Sequence, residues 1–180
     1  MKTLFVVAAA TLCWSASTVR AAPLTVASSS FAENGMIPSQ HAGTTGDCGG
    51  KGISPQLSWS NLPPRTRSVA VLAFDPDGAK GLGVSHWVAY NIGAERGQLK
   101  QGEGQTDGAG ATVGRNVAGL NTFQGMCPPP GDAPHHYLFT VIATDLAPGA
   151  LPPGLTRDEL LSTLKGHALG GQSTVGYYAR

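Results

Sequence analysis

Two apolar runs in the middle of the chain predict its central pair of strands. Residues 69–74 are continuously apolar, which is typical of a strand buried on both faces. Residues 86–92 form a second run, rich in aromatic and β-branched side chains, and the link between the runs contains Pro76 and three glycines. Antiparallel pairing would bring Asp75, which ends the first run, beside His86, which begins the second. A carboxylate and an imidazole would then meet next to an apolar core, a suitable place for a polar pocket.

Shorter patterns predict the remaining strands and one helix. Further strands are expected at residues 24–28, 54–60, 135–145 and 175–179, and residues 93–119 are expected to form a long surface excursion with one short strand. The helix should begin near Thr156, because Thr156 and Glu159 have the spacing of a capping box. Its apolar face is expected to consist of Leu160, Leu161, Leu164 and Ala168. Gly170 and Gly171 are expected to end it.

Composition favours a mostly β domain. The chain has 180 residues with 25 glycines and 13 prolines, and only 13% of its residues are charged. This mixture is typical of many short strands joined by irregular loops and not of a helical bundle. The 12 basic and 11 acidic residues nearly balance, and no basic run is present, which argues against nucleic acid as a partner.

The N-terminal stretch has the features of a secretory signal peptide. Met1 and Lys2 give a positive start, residues 4–12 form an apolar core too short to span a bilayer, and residues 19–21 fit a small-residue cleavage site. A retained anchor is the less favoured alternative, because polar residues and Arg20 follow the short apolar run. We therefore expect residues 1–21 to be a signal peptide and residues 22–180 to be one domain, periplasmic or secreted, with no later transmembrane segment.

The cysteines support an exported protein. Cys13 would leave with the signal peptide, so Cys48 and Cys127 remain. Two cysteines in an exported chain most often form one disulfide, which is worth about 4 kcal/mol for a long loop in the chain-entropy model. A zinc site is the alternative, but neither cysteine has a partner at C-x-x-C spacing.

Polar side chains at three strand ends form a candidate anion site. Asp75 and Asp77 follow the first central strand, His86 begins the second, and His135 and Tyr137 begin a later one. Imidazolium and phenol donors can hold an anion, while a carboxylate orients the histidines and raises their pKa. Binding should then weaken as the pH rises through the histidine range. The structural alternative is that Asp-Pro-Asp-Gly is ordinary turn chemistry and that His86 is a satisfied histidine of the sheet.

Alternation along the strand separates the histidines at residues 135 and 136. Since side chains alternate, His135 and Tyr137 should share a face that His136 does not. The same rule makes Ser85 and His86 a poor catalytic dyad. Nucleophile-elbow, phosphate-loop, dinucleotide-binding and H-E-x-x-H patterns are absent from the sequence. The sequence therefore predicts a binding protein with no cofactor or metal, and not an enzyme.

Four short motifs, taken in order, resemble those of a known family. They are Asp75-Pro-Asp, His86-Trp, Cys127-Pro-Pro-Pro-Gly and His135-His-Tyr. In this order they resemble the phosphatidylethanolamine-binding proteins, and in particular the bacterial Raf-kinase-inhibitor-like branch. The resemblance covers nearly all of the chain after the signal peptide. It implies a mostly β fold with a large central antiparallel sheet, a smaller second sheet and a few peripheral helices.

The resemblance also implies a ligand site. Asp75, His86, His135 and Tyr137 would line a small anion pocket with Asp77 and Pro129 at its edge. Relatives place phosphate-like groups there, including phospholipid headgroups and phosphorylated side chains. The chain departs from the family pattern where Gly78 and Ala79 replace Ala-Pro, and the stretch at 121–127 is shorter than usual. These departures predict a more open pocket rim.

Three functional hypotheses follow, of which the third is a hydrolase that uses His86 and Asp75 and would need a nucleophile or activated water that the sequence does not reveal. The leading one is an exported, non-enzymatic protein that binds a small phosphate-bearing ligand or a phospholipid headgroup, with a protein partner as a further option. The alternative is an interaction module, similar to a protease or kinase inhibitor, that acts through its surface and not through the pocket. Related bacterial proteins are often homodimers, but the sequence identifies no interface.

Overall fold

The computed structural model describes residues 22–108 and 110–180, so the predicted signal peptide lies outside the described residues. The described chain is mostly β, as predicted. Its strands are β1 (Thr25–Ala27), β2 (Gly35–Met36), β3 (Leu57–Ser60), β4 (Ser68–Asp75), β5 (Val84–Gly93), β6 (Gln98–Leu99), β7 (Thr112–Val113), β8 (His135–Thr144) and β9 (Ala168–Tyr178). Its helical segments are α1 (Gly78–Gly81), α2 (Arg157–Thr163) and the 3-10 turns Ser39–His41 and Ala94–Arg96.

The strands form one larger and one smaller sheet, which confirms the predicted architecture. The larger sheet has the order β2-β9-β8-β4-β5-β7, and the smaller sheet has the order β1-β3-β6. Neighbouring strands are antiparallel except for β2 and β9, which run parallel. The excursion at 93–119 contains two short strands, β6 and β7, and not the single one expected.

Strand β4 is continuously apolar because both of its faces are covered. One face, which includes Val69 and Val71, belongs to the main core together with Leu57 and Trp59 of β3. The opposite face belongs to a second cluster, in which Ala70, Leu72, Val88 and Tyr90 pack with Leu160 and Leu164. Helix α2 therefore covers the outer face of the larger sheet.

The start of α2 agrees with the sequence prediction, and its end does not. The Thr156 hydroxyl accepts a hydrogen bond from the Glu159 amide, and the Glu159 carboxylate accepts one from the Thr156 amide, so the capping box is present. The helix ends at Thr163, and β9 begins at Ala168, so Gly170 and Gly171 lie inside a strand. They pair there with β8. Long pairing with β8 outweighs the stop signal that two glycines give in sequence.

A disulfide joins Cys48 and Cys127, which are 79 residues apart. It ties the 43–52 loop to the segment that precedes β8. The Gly43 amide donates to the Met126 carbonyl at 2.9 Å beside it, and Ala42 and Met126 form an isolated parallel bridge. The disulfide and the hydrogen bond together hold two otherwise irregular loops against each other.

The first prediction concerns this crosslink. Replacing both cysteines, as Cys48→Ala with Cys127→Ala, should lower the free energy of unfolding by about 2–5 kcal/mol, because the denatured chain regains the entropy of a long loop. The measurement is urea unfolding. The reduced wild-type protein is the matched control and should lose a similar amount, and a loss below about 1 kcal/mol in both samples would contradict the prediction.

Candidate functional site

Four of the predicted site residues meet at one edge of the larger sheet. Because β4 runs antiparallel to both β5 and β8, its last residue, Asp75, lies beside the first residues of these two strands. His86 comes from β5, and His135 and Tyr137 come from β8. All four residues are at least nine-tenths buried. We call this group the anion pocket.

Asp75 lies at the centre of the pocket. Its Oδ1 accepts hydrogen bonds from the amides of Asp77 and Gly78, both at 2.9 Å. Its Oδ2 is 2.8 Å from Nδ1 of His135 and 4.0 Å from Nε2 of His86. A carboxylate at this depth needs such partners, because burying an unpaired charge is costly. The loop after β4 therefore folds back around the carboxylate.

His135 is the histidine of the pocket that favours the protonated form. Burial lowers the pKa of His135, but the hydrogen bond that its ring donates to Asp75 and the charges of the nearby carboxylates outweigh burial, so the pKa lies above its ordinary value. Asp132 approaches the other ring nitrogen at 3.6 Å from a more exposed position. The Asp75 carboxylate thus orients the ring, and the Asp132 carboxylate lies near its other nitrogen.

His86 has the opposite character. Burial lowers its pKa below the ordinary value, and the carbonyl of Gln124 and the charge of Asp75 offset this only in part. Nδ1 lies 2.9 Å from the carbonyl oxygen of Gln124, so Nδ1 donates and Nε2 carries the lone pair of the neutral ring. The pocket consequently combines two imidazoles of opposite tendency, since the pKa of His135 is raised and that of His86 is lowered.

A register shift in the sheet places His86 in the pocket. Ala73 pairs with Trp87, whereas the next residue, Phe74, pairs with Ser85, so His86 is the extra residue of a β-bulge. Bulges re-aim side chains and occur often beside functional sites. Antiparallel pairing alone would bring His86 near Asp75. The bulge determines the direction in which the His86 side chain points.

Tyr137 completes the donor set. Its ring packs edge-on against His86, with centroids 5.3 Å apart, and the residue is 1% exposed. Burial, followed by the charge of Asp75, raises the pKa of Tyr137, so the hydroxyl stays protonated. Its oxygen has no hydrogen-bond partner within the described residues. A buried hydroxyl without a partner is a natural contact for a ligand oxygen.

The cavity at this site has a volume of about 220 Å³. Pro129 lines it, as do Ala79 from the loop after β4 and Gln124 from the stretch at 121–127. Asp77 lies outside this lining. Its Oδ2 accepts from both the backbone amide and the Nδ1 of His136, each at 2.7 Å, and the backbone bond is the main reason that the pKa of Asp77 is lowered.

The alternation prediction holds along β8. His135 and Tyr137 are buried on one face, while His136 is exposed on the other, beside Tyr177. Sequence reasoning missed Gln124, because it acts through its backbone carbonyl and no residue pattern reports such a role. Within the described ranges, no three histidine, cysteine or acidic residues are grouped in a way that could hold a metal ion.

Comparison with known proteins establishes the class. The family model for the phosphatidylethanolamine-binding protein matches residues 27–179, and the chain belongs to this family. It is 39% identical over 147 residues to the UPF0098 protein YbcL of Escherichia coli K12, with 79% of each chain covered. It is also 33% identical over 152 residues to a UPF0098 protein of Methanothermobacter thermautotrophicus, covering 83% of this chain and 95% of the relative.

Solved structures agree with this assignment. The crystal structure of Escherichia coli YbcL, described as a member of the mammalian PEBP family, has a TM-score of 0.81 at 32% identity, covering 88% of this chain and 99% of that one. The structure of CT736 from Chlamydia trachomatis has a TM-score of 0.75 at 28% identity, covering 88% and 98%. The family and the fold expected from the sequence motifs are thereby confirmed.

The second prediction tests the pairing of Asp75 with His135. Asp75→Asn keeps an oxygen for the two loop amides but removes the charge, so the pKa of His135 should fall by about one unit or more. The measurement is an NMR titration of the His135 ring. Asp132→Asn is the matched control and should cause a smaller fall, because the Asp132 side chain is half exposed and 3.6 Å away. An unchanged His135 pKa in Asp75→Asn would contradict the pairing.

Proposed function

We propose that this chain is an exported, non-enzymatic protein that binds a phosphate-bearing ligand in the anion pocket. The observation that carries the proposal is the buried ring of His135, held by Asp75 and lining a cavity of about 220 Å³. A protonated imidazole with neighbouring N–H and O–H donors suits a tetrahedral anion. Phosphate is the chemistry shared by a free phosphate ester and the headgroup of a phospholipid.

The negative charge of Asp75 is compatible with an anionic ligand because it is already satisfied. Two amides and one imidazole occupy its oxygens. The groups that remain for a ligand are the hydroxyl of Tyr137, Nε2 of His86 and Nε2 of His135, which Asp132 also approaches at 3.6 Å. The hydroxyl is a donor, and each histidine Nε2 becomes a donor when its ring takes up a proton.

Separation of the two neighbouring residues Ser85 and His86 supports binding without turnover. Ser85 lines a different surface hollow, together with Phe74 and Arg157, whereas His86 lines the anion pocket. The sulfur of Cys127, which also lines the pocket, is engaged in the disulfide. The described pocket lining thus holds no free thiol, and the Tyr137 hydroxyl, whose pKa is raised by burial, stays protonated and is a weak nucleophile.

Export is supported by the disulfide and by the apolar leader. Disulfides persist in oxidising compartments, and the leader has the pattern of a signal peptide. Among the described residues, no helix is long and apolar enough to cross a membrane. We place the protein in the periplasm or outside the cell, where free phosphate esters and lipid headgroups are both accessible ligands.

The third prediction is that anion binding strengthens as the pH falls. A bound anion favours protonated His86, so binding takes up a proton at neutral pH, and affinity should change by up to about tenfold per pH unit. Raising the pH also discharges His135, which weakens binding further. Histidine NMR titrations with phosphate, phosphoethanolamine and sulfate at pH 5.5, 7.0 and 8.5 measure this effect. Sulfate separates protein ionisation from that of the ligand, because its own charge is constant over this range.

Two variants control the third prediction. His86→Ala should abolish the saturable shifts. His167→Ala should not, because His167 pairs with Asp145 beyond the far end of β8. Flat titrations at pH 5.5 would overturn the proposal and favour the alternative, in which the chain acts on a protein partner through its outer surface.

The fourth prediction concerns turnover. Hydrolysis of p-nitrophenyl phosphate by the mature protein should equal that of the His86→Ala variant, because the Asp75 oxygens are already engaged by two amides and His135 and the Tyr137 hydroxyl stays protonated. The measurement is release of p-nitrophenol at pH 5.5 and 7.0. A rate that is saturable and lost in the variant would identify a phosphatase and overturn the non-enzymatic reading.

A further inference from the structure

A second cavity adjoins the anion pocket behind the disulfide. It has a volume of about 360 Å³, at the low end of the range for small-molecule sites of roughly 300–1,000 Å³. Gln124, Gly125 and Cys127 line both cavities, so the two spaces meet along this shared segment. We call this second space the disulfide cavity, since Cys48 and Cys127 both line it. The polar side chains of its lining include Thr44, Thr45, Lys51, Gln105 and Thr122.

The charge on the described lining of the disulfide cavity is positive. Lys51 is the one charged residue among its described lining, and no described residue forms an ion pair with it. Asp47, the nearest acid in sequence, is bound to Arg180 at 2.6 Å. Because no carboxylate lines the cavity, Lys51 favours an anionic group there.

Several polar groups of the cavity make no hydrogen bond to the described residues. The hydroxyls of Thr44 and Thr45 make no hydrogen bond within the described residues. The Oε1 atom of Gln124 is buried and has no partner in the same part of the chain. An amide that nothing holds can rotate to meet a ligand hydroxyl. Phe123 adds a buried aromatic surface. This combination suits a polar, hydroxylated ligand more than an acyl chain.

Gln124 joins the two cavities through its backbone. Its amide donates to the His86 carbonyl at 2.9 Å, and its carbonyl accepts from the His86 ring, also at 2.9 Å. The residue that orients the His86 ring in the anion pocket therefore also lines the disulfide cavity. A ligand that contacts His86 lies next to this shared segment.

We propose that the disulfide cavity binds the organic portion of a phosphate ester whose phosphoryl group occupies the anion pocket. The ligand class is a hydroxylated phosphate ester with a second anionic group. The phosphoryl group meets His135, His86 and Tyr137, the second anion meets Lys51, and the hydroxyls meet the threonines and Gln124. This inference rests on the proposed function, because it takes the anion pocket as the phosphate site.

The fifth prediction compares three probes at pH 6.0 by NMR titration. They are inorganic phosphate, glycerol 3-phosphate and 3-phosphoglycerate, and the last adds a carboxylate to a hydroxylated phosphate ester. The wild-type protein should bind 3-phosphoglycerate about fivefold more tightly than glycerol 3-phosphate, as expected for one partly exposed ion pair. Amide shifts at Thr44, Thr45 and Lys51 should accompany both esters but not phosphate.

Variants separate the cavity from the pocket. Lys51→Gln should remove the fivefold preference and leave phosphate affinity unchanged, and Lys51→Arg should restore it. Lys165→Gln, an exposed lysine after α2, is the matched control and should behave as wild type. If phosphate binds but the preference is missing, or survives in Lys51→Gln, the inference is wrong and the proposed function stands. If neither phosphate nor the esters bind, both are wrong.

Discussion

The buried carboxylate of Asp75 is the constraint on which the site depends. An ionised group at 3% exposure is tolerated only when it is fully hydrogen-bonded and paired. The chain meets this need with two amides from its own loop and an imidazole from a strand 60 residues later. The position of the loop after β4, the orientation of His135 and the shape of the cavity all follow from satisfying this one charge.

The same pattern occurs a second time outside the pocket. One residue further along β8, His136 faces the opposite side and meets Asp77 at 2.7 Å. Two aspartates from one loop thus pair with two adjacent histidines of one strand, one pair buried and one exposed. The exposed pair of Asp77 and His136 joins the loop to β8 at the surface, and the buried pair of Asp75 and His135 lines the pocket. The period-2 alternation of the strand separates the structural pair from the pair that a ligand can reach.

Much of this arrangement could be predicted from the sequence, because it depends on local periodicity. Apolar runs located β4, β5 and β8, alternation placed His135 with Tyr137, and the cysteine count indicated the disulfide. The predicted end of α2 was wrong, because residues 164–171 fit both a helix that ends in glycines and a strand. Only the pairing with β8 determines which of the two forms. The bulge at His86 and the carbonyl of Gln124 could not be found, since both depend on register and backbone geometry and not on side-chain type.

The stretch at 121–127, before and including Cys127, is tightly held by packing and by a crosslink. A Cβ atom on Gly125 would lie 2.4 Å from the Ala42 carbonyl carbon, so this segment packs directly on the 42–43 backbone. The disulfide fixes the same two segments covalently. Gln124 is therefore held by a close backbone contact and a crosslink while it orients His86 on one side and faces the second cavity on the other. A crosslink acts on the stability of the whole chain, and here it also restrains the segment that lines both cavities. The carbonyl that orients the His86 ring therefore lies three residues from a bond of the kind that persists in oxidising compartments.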